Sequence, residues 1–353
     1  ASPKLTWEKT GMYNAALDLS FFKNRLTASL EAYLSHTTDL LLSMHVPSQT
    51  GFSTHLANLG KTSNKGLELT LESRNIAREH FSWQTSLTVS HNKQMVEDIG
   101  SESSVPVFNS VGNNPYMMYG YKKGYPLNAL WGFKYAGVWK SAEEVNRNYI
   151  TKAYVSPSIP SNPGGWPRYY DIDHNGALNE KDLLYLGNAD PYLHGGLQNN
   201  FRWRNFTLSI FMQYSLGGKI YNISEQYMGS GSTYSNQYRY MINAWHPVRN
   251  PESDLPRAGN NVLLASDRMV YDATFLRLKN ASLGYNLNMN RHTNSIIKDI
   301  RFVLSGENLY LWKYYNGFDP DVSTNSNNST LRRVDNGAYP KSRTIVFSIQ
   351  LNY

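Results

Sequence analysis

The chain has 353 residues, none of them cysteine, with 41% hydrophobic, 17% charged and 13% aromatic content that includes 26 Tyr and 8 Trp. Without thiols there are no disulfides, zinc–thiolate sites, iron–sulfur clusters or thiol nucleophiles, and a mean hydropathy of −0.51 without an apolar run of ~18 residues excludes transmembrane helices. The net charge of +7 comes from scattered Lys and Arg with no cluster and no nucleic-acid motif, so it reads as ordinary surface charge and no nucleic-acid partner is expected.

The first periodic stretch places Tyr13, Ala15, Leu17, Leu19 and Phe21 on alternate positions. Such alternation is the signature of a β-strand with one apolar and one polar face. Lys23-Asn24 makes a tight turn, and Leu26, Ala28, Leu30, Ala32 and Leu34 carry the apolar face back. A second hairpin runs from Leu67, Leu69 and Leu71 through a turn near Ala77-Arg78-Glu79 to Phe81, Trp83, Thr85, Leu87 and Val89. A third joins Leu197–Trp203 to Phe206–Tyr214 through Arg204-Asn205, and a fourth joins Leu276–Leu287 to Ile300–Leu311. The chain ends on Ile345, Phe347, Ile349, Leu351 and Tyr353, again every second residue.

Between these hairpins lie long polar segments, near residues 43–60, 95–193, 216–272 and 312–342. Short turns alternating with long loops are the asymmetry of outer-membrane β-barrels, with periplasmic turns and extracellular loops, apolar toward lipid and polar toward the lumen. If Tyr13–Phe21 descends to the periplasm, the terminal strand also descends and leaves Tyr353 there. Tyr116–Lys140 must then add zero or two strands, for a total of roughly nine to eleven. The expected fold class is therefore all-β, an antiparallel transmembrane barrel or part of one, in the outer membrane. An all-β soluble sandwich explains the alternation but not the loop asymmetry.

One segment has the composition of an ion site. Asp171-Ile-Asp173-His-Asn175-Gly176-Ala177-Leu-Asn179-Glu-Lys-Asp182 fits the calcium-loop pattern D-x-D-x-N-G with an acidic twelfth position. Carboxylates at alternate positions of a tight loop converge, Ala177 offers its carbonyl, and Asn179 ligates directly or through water. Asp182 stands where a bidentate Glu is usual, which predicts a weaker, structural Ca2+ site; the alternative is an Asx-rich turn without metal. No catalytic cluster is expected: there is no G-x-S-x-G and no H-E-x-x-H. Aromatics of the long segments, among them Trp166, Tyr169, Tyr170 and Trp245, are candidates for stacking on cargo, with loop packing as the alternative role.

Several short motifs in order resemble one family. Leu5-Thr-Trp-Glu-Lys-Thr, Thr38-Asp39-Leu, Asn58-Leu-Gly60, Asn64-Lys-Gly66-Leu-Glu68, the Asp171–Asp182 loop followed by Leu186-Gly187-Asn188-Ala-Asp190-Pro191, Trp245-His-Pro247, Phe275-Leu-Arg277, Ser305-Gly-Glu-Asn308 and Gly317-Phe-Asp319-Pro320 are similar to stretches of the SusC/RagA family of TonB-dependent transporters. The resemblance implies a barrel of about 22 strands, of which this chain would be the C-terminal part, with the N-terminal plug domain and TonB box lying outside residues 1–353. It further implies import of oligosaccharides or oligopeptides, a SusD-like surface lipoprotein as lid, and energy from TonB with ExbB and ExbD. The sequence begins at Ala1 without a signal peptide, as expected of a processed chain or a piece of a longer one. Two other readings remain open on the residues: a small complete outer-membrane barrel with hydrolase activity, and a secreted calcium-binding carbohydrate-binding module.

Overall fold

The computed structural model describes residues 5–45, 51, 54–100, 104–108, 119–147, 160–231, 236–259, 263–289, 297–322 and 332–353. The strands in chain order are β1 (Lys9–Phe21), β2 (Leu26–His45), β3 (Thr54–Ala77), β4 (Phe81–Ile99), β5 (Val105–Phe108), β6 (Tyr119–Tyr121), β7 (Ala129–Gly132), β8 (Tyr135–Val138) and β9 (Pro167–Tyr169). They continue with β10 (Leu184–Asn188), β11 (Leu193–Trp203), β12 (Phe206–Leu216), β13 (Lys219–Asn222), β14 (Val270–Asp272), β15 (Phe275–Asn288), β16 (Asp299–Lys313), β17 (Val334–Asp335) and β18 (Thr344–Asn352). Two short helices, α1 (Ala142–Arg147) and α2 (Ser224–Met228), lie in the long connections.

Nine of these strands form one antiparallel sheet in the order β1-β2-β3-β4-β11-β12-β15-β16-β18. All four predicted hairpins and the terminal strand are present; of the segment Tyr116–Lys140, residues 116–118 lie outside the described residues and 119–140 add no strand to this sheet. Its register aligns the apolar alternations into rows. Leu17 faces Leu30, Leu30 faces Leu69, and Leu69 faces Val89. Farther along, Leu208 faces Leu283, Leu283 faces Leu304, and Leu304 faces Phe347. A one-residue slip in any pair would carry that strand's apolar set to the other face. These rows stay exposed, including Leu17, Leu283, Leu304, Ile345 and Phe347, because the medium they require is lipid.

The turn end of this face carries a belt of rings. Trp83 stacks on Phe201, Trp203 on Phe206, and Phe206 lies against Tyr285 at 4.7 Å. Tyr310, Trp312 and Tyr314 form an exposed counterpart near the loop end. Two such belts are what amphipathic rings produce at two membrane interfaces. A polar row interrupts the apolar face beside Trp83: Asn199 Oδ1 accepts from Trp83 Nε1 at 3.0 Å and from Thr85 Oγ1 at 2.8 Å, and Asn75 Nδ2 donates to Thr85 Oγ1 at 2.7 Å. These groups satisfy each other, as polar groups facing hydrocarbon must.

On the opposite face Tyr33 lies over Gly66, its cross-strand partner. A Cβ on Gly66 would meet the Tyr33 ring at 2.3 Å, so only glycine leaves room for the ring. The sheet is open, with β1 and β18 as its edges. Unpaired backbone is not tolerated in hydrocarbon, so further strands must complete the barrel.

The strands reach farther than their alternation suggests. Most of the expected loop near 43–60 is strand, since β2 runs to His45 and β3 begins at Thr54. Asn58 explains part of this extension: its Nδ2 donates to Asp39 O at 2.6 Å and to Thr6 O at 2.8 Å, and its Oδ1 accepts from Thr6 N at 2.8 Å. Asp39 sits at φ +60°, where the β2–β3 register shifts. A bulge closed by one Asn side chain hides the period-2 pattern from a sequence reading.

The long connections fold into a second layer at one end of the sheet. It contains a four-stranded sheet β10-β7-β6-β5, a three-stranded sheet β14-β13-β17 and the pair β8-β9. The buried core of the molecule is here, around Tyr119, Leu130, Tyr221, Ile223, Leu263 and Met269 and around Trp131, Phe133, Tyr169, Leu178, Leu183 and Leu264. Arg277 of β15 and Asp319 pin this layer to the barrel wall: Nη2 and Oδ1 are 2.7 Å apart, with side chains 3% and 2% exposed.

Candidate functional site

The acidic loop hangs between β9 and β10. Its apolar residues explain how it is held, because Leu178 and Leu183 are buried in the core that also takes Trp131, Phe133 and Leu264. His174 and Gly176 adopt left-handed backbone conformations, at φ +56° and +80°, and turn the chain sharply. The carboxylates then bond inward. Asp171 Oδ2 accepts from Gly176 N at 2.8 Å, and Asp173 Oδ1 accepts from Asn175 N at 3.3 Å. Asp182 is fully buried and accepts from Ile172 N and Asn179 N, both at 2.7 Å.

As a result, oxygens of Asp171, Asp173 and Asp182 lie within 4.8 Å of one another. Three like charges at that spacing repel, and a cation among them removes the penalty. Asp171 Oδ1 is buried without a hydrogen-bond partner, a donor atom free to bind an ion. The donor set therefore fits a hard divalent cation. The other predicted ligands are engaged elsewhere: Asn175 Oδ1 accepts from Ala177 N at 2.8 Å, Asn175 Nδ2 donates to Asp173 Oδ2 at 2.7 Å, Ala177 O accepts from Asn179 Nδ2 at 3.2 Å, and Asn179 Oδ1 accepts from Lys181 N at 2.9 Å.

The four aromatics separate in their surroundings. Tyr169 is a core residue whose hydroxyl oxygen accepts from Leu264 N at 2.8 Å, and its ring packs on Phe133 and Tyr135. Complete burial pushes its hydroxyl pKa far up. It presents no free face to a ligand, because its bulk fills the space under the acidic loop. Tyr170, its neighbour in an extended segment, points outward and is exposed. Trp166 is half-buried, and its carbonyl accepts from Trp139 N at 2.9 Å. Trp245 lines a wide cleft of about 1060 Å³ with Lys140, Asn162, Arg249 and Arg257. Gly164 and Gly165 lie directly under the Trp245 ring, where a Cβ would come within 2.8 Å and 2.6 Å of it.

A second concavity of about 390 Å³ is lined by Tyr238, Tyr240, Tyr271, Phe318, Glu225 and Asp335, among others. Glu225 Oε1 accepts from Tyr271 OH at 3.0 Å and its Oε2 from Tyr240 OH. Burial first, and the Glu225 carboxylate second, raise the pKa of both hydroxyls, which keeps them protonated donors. Asp335 Oδ2 accepts from Tyr315 OH at 2.6 Å and its Oδ1 from Ala338 N at 3.0 Å. Sequence reading missed this group. Its members come from five separate segments, and no local spacing joins them.

A twisted antiparallel sheet with an apolar outer face, two ring belts, short turns at one end and a folded loop layer at the other defines an outer-membrane β-barrel. Comparison with known proteins narrows the class. The family model described as TonB dependent receptor-like, beta-barrel matches residues 1–149. The TonB-dependent receptor P3 of Formosa agariphila is 30% identical over 361 residues, covering 100% of this chain and 35% of that protein. The TonB-dependent receptor SusC of Bacteroides thetaiotaomicron is 25% identical over 359 residues, covering 99% and 32%. In fold, the structure of the RagAB peptide transporter superposes with a TM-score of 0.78 at 24% identity, over 99% of this chain and 36% of that one. The chain thus spans about a third of the length of the curated relatives it matches. It is a β-barrel portion of a TonB-dependent receptor of the SusC/RagA kind, located in the outer membrane.

Proposed function

We propose that the protein containing this chain imports oligosaccharides or oligopeptides across the outer membrane, driven by TonB with ExbB and ExbD, and that a SusD-like surface lipoprotein closes over the loop layer. The observation that carries this reading is the loop layer itself. A packed, cored structure on one end of a lipid-faced sheet gives both a docking face for a lid and concave surfaces for cargo. The similarity of the whole chain to about a third of SusC and of the receptor P3 supports the same reading. The chain acts in it as a binding and conducting wall rather than as an enzyme, with the loop layer extracellular and the turns and Tyr353 periplasmic. Exposed Tyr170 and the cleft at Trp245 are the cargo surfaces favoured among the rings.

The acidic loop holds Ca2+ in this reading, through Asp171, Asp173 and Asp182, and Asn175, Ala177 and Asn179 complete the shell once the ion displaces the hydrogen bonds their oxygens accept within the loop. Bound there, the ion supplies charge neutralisation and rigidity and takes no part in chemistry. The test of import is uptake of labelled oligosaccharide and oligopeptide pools by cells with the encoding gene deleted, restored, or restored in a strain lacking TonB. Import predicts that one pool requires both the gene and TonB, with the protein in the outer membrane at about 100 kDa, the size of a roughly 22-strand barrel plus plug. Uptake of both pools independent of the gene would overturn it.

A further inference from the structure

The tyrosine-lined concavity between α2, β14 and the segment following β16 has an unusual electrostatic make-up. Its described lining includes Glu225 and Asp335, 6% and 5% exposed, and no Lys, Arg or His. Among the described residues neither carboxylate has a basic nitrogen within ion-pair distance; the ten ion pairs found lie elsewhere. Arg268 stands behind the Tyr240 ring, 6.0 Å from its centroid, and donates to Tyr240 OH at 3.4 Å and Gly229 O at 3.2 Å. Buried carboxylates are ordinarily paired with cations or metals. Here their direct donors are neutral, the hydroxyls of Tyr240, Tyr271 and Tyr315 and the amide of Ala338, and the charge of Arg268 acts on Glu225 only from beyond the Tyr240 hydroxyl. A carboxylate has about four lone-pair sites, so both retain acceptor capacity.

The walls complete the picture. Tyr238 and Tyr240 stack at 5.5 Å with an interplanar angle of 22°, and Phe318 stands at the rim 69% exposed. Aromatic faces beside unpaired carboxylates attract cations through both the ring quadrupole and the charge. Gly229 is what lets the group assemble, since a Cβ there would meet Tyr240 OH at 2.5 Å and Glu225 Oε2 at 2.6 Å.

We propose that this concavity is a subsite for a cationic side chain, the guanidinium or ammonium of a basic residue in a peptide, seated on Tyr238, Tyr240 and Phe318 against Asp335 and Glu225. It rests on the import reading only in calling that peptide cargo; binding itself needs no transport step. An anionic ligand would meet two buried carboxylates, and a neutral sugar would leave Asp335 without a counter-charge.

The test is isothermal titration of the full-length receptor in detergent with acetyl-Ala-Arg-Ala-amide, its citrulline counterpart and a neutral trisaccharide. Citrulline keeps the shape of arginine without its charge. We expect the arginine peptide to bind at least tenfold tighter than the citrulline one. Asp335→Asn, which keeps an acceptor for Tyr315, should remove that preference, and Phe318→Ala, at an exposed rim position, should weaken arginine binding several-fold without touching the fold. Equal binding of the two peptides overturns the proposal, as does an arginine preference unchanged in both variants. Trisaccharide binding sensitive to Asp335→Asn, without peptide binding, would make the concavity a carbohydrate subsite and the cationic assignment wrong. Because uptake is not measured, a failed titration leaves the import reading standing, and a failed uptake assay leaves the titration standing.

Discussion

Arg277→Ala should release part of the loop layer from the barrel wall. Arg277 Nη2 donates to Asp319 Oδ1 at 2.7 Å, its guanidinium lies 5.3 Å from the Phe275 ring centroid, and Asp321 is 4.0 Å away. Asp319 Oδ1 also accepts from Asp321 N at 2.9 Å, which fixes the turn after Gly317-Phe318. Removing the guanidinium leaves a carboxylate that is 98% shielded from water without its cation, a loss of about 3–5 kcal/mol for buried pairs in general. Arg277 Nε is itself buried without a partner, so the wild-type pair is imperfect and the lower end of that range applies. A loss of about 3 kcal/mol raises local opening by more than about a hundredfold. The assay is hydrogen exchange of the amides in 314–322 in the full-length receptor, with heat-modifiable migration as the control that the barrel persists. Arg277→Met with Asp319→Leu should recover most of the protection, since a buried pair replaced whole by apolar groups is often neutral. Unchanged exchange at 314–322 in Arg277→Ala would refute the anchoring role.

Other outcomes follow from the same geometry. Asp171→Ala with Asp173→Ala should abolish Ca2+ binding by the loop and make wild-type and variant equally sensitive to protease around 171–182 after chelation; calcium binding retained by the double variant refutes the ion site. Gly66→Ala should disrupt the β2–β3 hairpin because its Cβ meets the Tyr33 ring at 2.3 Å, and Tyr33→Ala in the same chain should restore assembly; if the single variant assembles at wild-type yield, the packing argument fails. Asn199→Leu, on the lipid side, leaves Trp83 Nε1 and Thr85 Oγ1 without their acceptor and should cost about 0.6–2 kcal/mol of barrel stability, measured by urea unfolding in liposomes. No change there would mean that interfacial water replaces the amide.

The barrel portion was legible in the sequence because each strand carries its own signal. Alternate residues of a strand face opposite media, so Leu17, Leu283 or Phe347 announces a lipid-facing row from its neighbours alone. The turns at Lys23-Asn24 and Arg204-Asn205 are equally local, and so is the convergence of Asp171, Asp173 and Asp182, which lie within one dodecapeptide turned at Gly176. Parity counting limited what Tyr116–Lys140 could add because an antiparallel chain must alternate direction.

Tertiary structure alone decided the loop layer. Its strands run from two to five residues, too short for any period to show, and β13 pairs with β14 and β17 across gaps of some fifty and a hundred residues. Tyr169 and Tyr170 are adjacent and chemically alike, yet one fills the core and the other meets water, a choice made by Leu264 and Phe133 from elsewhere in the chain. The Arg277–Asp319 pair and the Glu225 and Asp335 concavity are of the same kind. Local patterning reports which medium a residue faces, whereas a packed interior depends on which distant residue arrives beside it, and no single stretch of sequence carries that information.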